Sequence, residues 1–267
     1  MTIQGAIVDV DGTLVRGKES LPGATAGLDS LTAAGVDVLL FSNNPTRPGG
    51  YYEALLAECN LPVGDHTAIT AATVTAEHLA AEHPAADIYV VGEAGLHEQL
   101  RAHGLTLVSD PTAADVVVGS IDRDLGYDDL QKGLRALQHA DRFVATDPDP
   151  AIPTGDGLAP GSGAIIAALR AAADRPVDAV LGKPSPIARA AALERLGVPP
   201  ESCLVVGDRL DTDIALGEAA GMQTALVLTG VTDRATLEAA DQQPDYVLES
   251  IAEVHTLLPG ASRKQKD

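Results

Sequence analysis

The chain has no tryptophan, two cysteines, two phenylalanines and an aromatic content of only 3%. It is also short of positive charge, with 18 Lys and Arg against 38 Asp and Glu, and only five of those 18 are lysines. Each shortage excludes something. Without a basic face, nucleic acid is a poor partner, because duplex binding depends on cations that displace counterions. Anionic membrane surfaces are disfavoured for the same reason. No stretch approaches the ~18 apolar residues of a membrane span, and the opening MTIQGAIVDVDG has neither the basic nor the long apolar part of a leader. Cys59 and Cys203 lie far apart with no metal-like spacing. Zinc and a disulfide framework are therefore unsupported, and a reducing cytoplasm is the expected compartment. Cys203 opens the run CLVVGD and reads as a small buried core residue.

What is present begins with 267 residues that are 45% hydrophobic, enough to bury a sizeable core and to drive collapse. The formal net charge of −20 repels itself in dilute buffer. At ~1 M salt the Debye length falls to ~3 Å and that repulsion is screened. The balance is read as a halophilic adaptation to a salt-rich cytoplasm.

Short Val- and Ile-rich runs alternate with helix-like segments along the whole chain. Expected strands are 3–8, 36–41, 88–91, 116–118, 143–145, 179–181, 204–206, 224–228 and 246–248. Expected helices are 24–34, 51–59, 73–82, 96–102, 127–139, 164–173, 187–196 and 211–220. Gly35, Gly104, Gly197 and Gly221 each follow a helix, where a left-handed stop wants no Cβ. The alternation predicts an α/β fold with a parallel sheet. The middle reads as a second α/β unit, and the proline- and glycine-rich segment 146–163 reads as a long loop before a helix. The tail 262–267 reads as a frayed terminus.

Four polar clusters stand at expected strand ends. In Asp9-Val10-Asp11-Gly12-Thr13, residues two apart on an extended chain point the same way, so two carboxylates face one place. They repel unless a cation or proton sits between them, and Mg²⁺ is commonly held by such acids together with phosphate oxygens. Ser42 and Asn43 follow the second strand with a hydroxyl and an amide to donate. Lys183, between Gly182 and Pro184, offers a fixed ammonium. Asp208 ends the run 204–206, with Asp213 five residues on. In open parallel sheets ligands bind beyond the carboxyl ends of the strands, where all four clusters lie.

In this order the clusters resemble the haloacid dehalogenase superfamily of phosphohydrolases: Asp9-x-Asp11-Gly-Thr, Ser42-Asn43, Gly182-Lys183-Pro184 and Gly207-Asp208-x4-Asp213. The long insert between the second and third motifs is similar to the class IIA cap of the para-nitrophenyl phosphate and phosphoglycolate phosphatase group. The resemblance implies a Rossmann-like catalytic core over 1–85 and 179–267 and an α/β cap over 86–178. The cap is expected to close over the site and select the organic part of the substrate. Asp9 would be the nucleophile that becomes an aspartyl-phosphate, and Asp11 the acid and base. Mg²⁺ would be held by Asp9, the backbone carbonyl of Asp11 and Asp208, with Asp213 supporting these ligands or occasionally joining them. Ser42, Asn43 and Lys183 would bind the phosphoryl group.

The implied activity is hydrolysis of a small phosphorylated metabolite, with phosphoglycolate, sugar phosphates, glycerol phosphates and nucleotides all fitting. A phosphomutase of the same superfamily and, more weakly, a non-catalytic phosphometabolite-binding protein are the alternatives. Asp11 argues against dehalogenation, which needs no leaving-group acid, and a homodimer is an assembly the resemblance allows. One departure stands out: the group usually has Ala-Thr-Asn-Pro-Asp where this chain reads Ala145-Thr146-Asp147-Pro148-Asp149.

Overall fold

In the computed structural model, residues 2–62, 66–154 and 157–258 are described. They form two compact units. The first comprises residues up to Ser42, Gly49–Ile69 and the chain from Arg189 onward; the second comprises Asn43–Pro48 and Thr70–Ala188. The longer piece of the second unit runs from Thr70 to Ala188. It takes in the helix Ala71–Glu82 and the Gly182–Pro186 segment.

The first unit is organised by a sheet in the order Tyr246–Leu248, Gln223–Val227, Cys203–Gly207, Gly5–Val8, Asp37–Ser42, Thr67–Thr70. Gly5–Val8 lies at its centre, parallel to both neighbours, with Val8 level with Val206 on one side and Leu40 on the other. All four of its residues are buried, as are all five of Cys203–Gly207. Continuous apolar runs belong in strands covered on both faces. The helix Ala24–Ala33 packs Ala24, Gly27, Leu28 and Leu31 inward, a three-and-four spacing that puts one stripe on the sheet. Cys203 is fully buried, as expected, and burial pushes its thiol up to about 12.

The second unit carries its own parallel sheet, in the order Ala179–Val180, Arg142–Ala145, Val116–Gly119, Asp87–Val91, Thr106–Leu107. The helices Tyr127–Leu137 and Ser162–Ala173 bury Ala136, Leu137, Ile165, Ile166 and Leu169 in a core shared with Phe143. Segment 146–163 is not a plain loop: Ala151–Thr154 and Gly157–Pro160 pair as an antiparallel hairpin. Pro153 and Pro160 hid it, because proline lowers strand expectation yet is tolerated in a two-stranded ribbon with open edges. The strand Thr67–Thr70 and the helix Arg234–Ala239 were also missed. Each is too short to display a period.

The four glycine stops behave as read, with φ of 70° at Gly35, 79° at Gly104, 63° at Gly197 and 69° at Gly221. The expected helix 211–220 is instead a π-type turn, Leu210–Ile214, running into a short helix, Ala215–Glu218. Segment 262–267 lies outside the described residues. No helix among the described residues is long and apolar enough to cross a membrane.

Candidate active site

In the first unit the parallel register brings two acids to one end of the sheet. Asp9 follows Gly5–Val8 and donates its amide to the carbonyl of Val206 at 2.8 Å, so it is aligned on the last turn of the neighbouring strand. Asp208 follows Cys203–Gly207, and the π-type turn swings Asp213 back towards it. The three carboxylates each offer an oxygen within 4.8 Å of the other two. All are buried, Asp9 8% exposed and Asp208 and Asp213 1% each.

Glycine makes the crowding possible. Gly12 adopts φ 91°, a left-handed conformation, and a Cβ there would overlap Asp208 Oδ2. A Cβ on Gly207 would overlap the carboxyl of Asp213, and one on Gly230 would overlap Asp208. Other donors orient the acids. Asp208 Oδ2 accepts the Val231 amide at 2.6 Å, Asp213 Oδ2 the Arg209 amide at 3.2 Å, and Asp9 Oδ2 the Thr13 hydroxyl at 3.4 Å. Asp211, by contrast, pairs with Arg209 at 3.0 Å and stands apart from the group.

Three buried carboxylates this close repel one another unless a cation balances them. An all-oxygen donor set suits a hard cation such as Mg²⁺, so the residues fit that ion.

Asp11 makes contacts of its own. Its side chain is exposed, and its Oδ2 accepts the Tyr52 hydroxyl at 2.9 Å and lies 3.2 Å from Ser42 Oγ. Ser42 also lies 2.9 Å from the Tyr52 hydroxyl. Nothing in the sequence singles out Tyr52. In the sequence it looks like one more core residue of an amphipathic helix, and only its hydroxyl end is polar.

Asn43 and Lys183 are both in the second unit and are tied to each other. Lys183 donates its amide to Asn43 Oδ1 at 2.8 Å, and Asn43 Nδ2 donates to the Lys183 carbonyl at 3.0 Å and towards Asp149 Oδ2 at 3.4 Å. Gly182 permits this, since a Cβ there would stand 2.8 Å from Asn43 Oδ1 and 2.7 Å from the Thr146 carbonyl. Lys183 is 1% exposed, an unusual state for a lysine and one that calls for compensating charge. Asp147 lies deep in the same unit. Its Oδ2 accepts Ser162 Oγ at 2.6 Å and Thr146 Oγ1 at 3.0 Å, and its Oδ1 accepts the Asp149 amide at 3.2 Å. Burial first, and then the charge of Asp149, push its carboxyl up to about 7.

Comparison with known proteins identifies the family. Residues 6–106 match the family model described as haloacid dehalogenase-like hydrolase, and residues 180–254 a second HAD-hydrolase-like model. The chain is 34% identical over 253 residues to the 5'-nucleotidase YutF of Bacillus subtilis, covering 94% of this chain and 97% of that protein. It is 33% identical to the sugar-phosphatase AraL of the same organism, with 95% and 92% covered. Among solved structures, the p-nitrophenyl phosphatase from Archaeoglobus fulgidus superposes with a TM-score of 0.91 at 36% identity, over 97% of this chain and 100% of that one.

Proposed function

Because the chain belongs to the haloacid dehalogenase-like hydrolases, as a class IIA phosphatase and phosphoric monoester hydrolase, we propose that it works through an aspartyl-phosphate on Asp9 with Mg²⁺ as cofactor. The observation that carries this reading is the buried group formed by Asp9, Asp208 and Asp213, with Asp11 two residues beyond the first. Asp9, Asp208 and the backbone carbonyl of Asp11 would hold the ion, with Asp213 behind them. The ion would neutralise charge on the phosphoryl oxygens.

A carboxylate oxygen of Asp9 attacks phosphorus, and the bond from phosphorus to the ester oxygen breaks. Asp11 gives its proton to that departing oxygen and so avoids a bare alkoxide. In the second half Asp11 takes a proton from water, whose oxygen attacks phosphorus and frees Asp9 and inorganic phosphate. Ser42 and Asn43 would donate to phosphoryl oxygens, and Lys183 would supply positive charge. Such fixed donors and charges stabilise the transition state without reorganising during reaction.

The substrate class is a small phosphorylated metabolite, a nucleotide or a sugar phosphate by the names of its relatives. The setting we propose is a salt-rich cytoplasm, from the net charge of −20 and two free cysteines.

The test is release of inorganic phosphate from p-nitrophenyl phosphate in high salt, with Mg²⁺ and with EDTA, beside Asp9→Asn. Turnover that needs the metal and disappears in the variant is expected. Metal-independent turnover, or activity kept by Asp9→Asn, would remove the mechanism. A panel of nucleotides and sugar phosphates then ranks substrates.

A further inference from the structure

Tyr52 is 1% exposed and is the largest of the fully buried side chains. It lies on the helix Gly49–Glu58, which buries Gly49, Tyr52, Leu55 and Leu56 against the sheet core. The helix comes close because Gly49 has no Cβ, which would otherwise overlap the Ala68 carbonyl. Packing of the ring explains its burial but not where the hydroxyl goes. A buried phenol needs a hydrogen-bond partner, and a backbone carbonyl would serve. Here the hydroxyl instead meets the side chain of Asp11, an exposed residue on a turn.

The donors can be followed atom by atom. Ser42 has one hydroxyl proton and lies between two acceptors, the Tyr52 oxygen at 2.9 Å and Asp11 Oδ2 at 3.2 Å. Tyr52 donates its own proton to Asp11 Oδ2 at 2.9 Å. A relay from Ser42 through Tyr52 to Asp11 satisfies both hydroxyls, and each bond polarises the next. A donor on a ring locked in the core fixes where Oδ2 sits. As the acceptor of the phenol, Oδ2 is also not the oxygen that carries the transferable proton.

We propose that Tyr52 is a positioning residue for proton donation by Asp11, holding its carboxyl by Oδ2 so that the other oxygen delivers the proton to the leaving group. The proposal rests on Asp11 being the leaving-group acid. It distinguishes Tyr52 from an ordinary core tyrosine, whose loss would affect every substrate alike.

The experiment compares kcat/KM of the full chain and of Tyr52→Phe on two esters with Mg²⁺ present. The value of kcat/KM covers the first chemical step, in which the ester bond breaks. p-Nitrophenyl phosphate releases a stabilised phenolate that needs little protonation, whereas ribose 5-phosphate releases an alkoxide that needs a proton. Tyr52→Phe keeps the ring and removes the donor. Its kcat/KM on ribose 5-phosphate should fall ~10-fold or more, a part of the ~10²–10⁴-fold that a general acid contributes, and on p-nitrophenyl phosphate by no more than ~3-fold. In an Asp11→Asn background, Tyr52→Phe should cost nothing further on ribose 5-phosphate, because the two act as a unit.

Equal losses on both esters, no loss on either, or additive losses in the double variant would overturn the assignment. If Tyr52→Phe does not fold, Tyr52→Met is the substitute, a flexible apolar filler without the donor, and the same split is expected. Failure of the underlying reading looks different. Asp11→Asn alone would then keep full activity on ribose 5-phosphate, which removes the acid and with it the role of Tyr52.

Discussion

The amide of Val231 donates to Asp208 Oδ2 at 2.6 Å, across 23 residues of chain. The contact is one of several that press the segment 229–232 onto the acid group. Thr232 donates its amide to the Asp208 carbonyl at 3.1 Å, and the Thr229 hydroxyl donates to the Gly12 carbonyl at 2.7 Å. Arg16 closes the ring with a guanidinium bond to the Thr229 carbonyl at 2.6 Å. Gly230 is the residue that lets this backbone lie against the carboxyl.

Gly230→Ala should therefore displace Asp208 rather than unfold the sheet. Groups that orient a metal ligand typically contribute ~10–100-fold to affinity. Titration calorimetry with Mg²⁺, without substrate, should show a loss of that order with an unchanged circular dichroism spectrum. Undiminished binding would mean that segment 229–232 does not orient Asp208.

Lys183 should act through charge and shape together, since it is 1% exposed and its backbone is clasped by Asn43. Lys183→Ala should lower kcat on p-nitrophenyl phosphate by ~10²–10³-fold, the scale of losing one preorganised electrostatic group. Inhibition by inorganic phosphate should weaken with it. Lys183→Arg should not restore activity, because a buried planar fork cannot replace a point charge. Unchanged kinetics in the alanine variant would remove the assigned role.

Asp147 should make the protein less stable as pH rises. Its carboxyl moves from an ordinary value of 3.8 to about 7 in the fold, through burial first and Asp149 second. Between those values the folded chain keeps a proton that the unfolded chain releases. Stability from this group therefore falls as pH rises from about 4 to about 7, and the full cost is present above that. Asp147→Asn removes the titration. Its Tm should exceed the parent's at pH 8, with the difference shrinking towards pH 4. A difference that is flat across this range would contradict the assignment.

Screening should stabilise the parent chain. With a net charge of −20, raising KCl from 0.1 M to 1 M cuts the Debye length from ~10 Å to ~3 Å. Tm in thermal unfolding should rise steeply over this interval and then level off. A Tm that falls or stays constant would remove the salt-adapted reading.

Much of the molecule is legible in the sequence, for a local reason. Gly5–Val8 and Cys203–Gly207 are buried on both faces, and a strand of that kind must be written as an unbroken apolar run. The glycines at 35, 104, 197 and 221 are legible because left-handed φ excludes most other residues. Asp9, Ser42 and Asp208 stand out because each directly follows or ends a readable strand, and Lys183 because it lies just beyond one. The pairing of Ala151–Thr154 with Gly157–Pro160 escapes because its prolines argue against strands when neighbours are unknown.

The sequence by itself therefore determined the α/β layering, the helix stops and which acids stand at strand ends. Those are properties of single segments, set by periodicity, φ and burial. Tertiary structure alone decided that Gly230 lies against Asp208 and that the Tyr52 hydroxyl goes to Asp11. Each of these is a meeting of residues far apart in the chain. It depends on where a polar group at the end of a buried side chain finds its partner, and no local pattern records that.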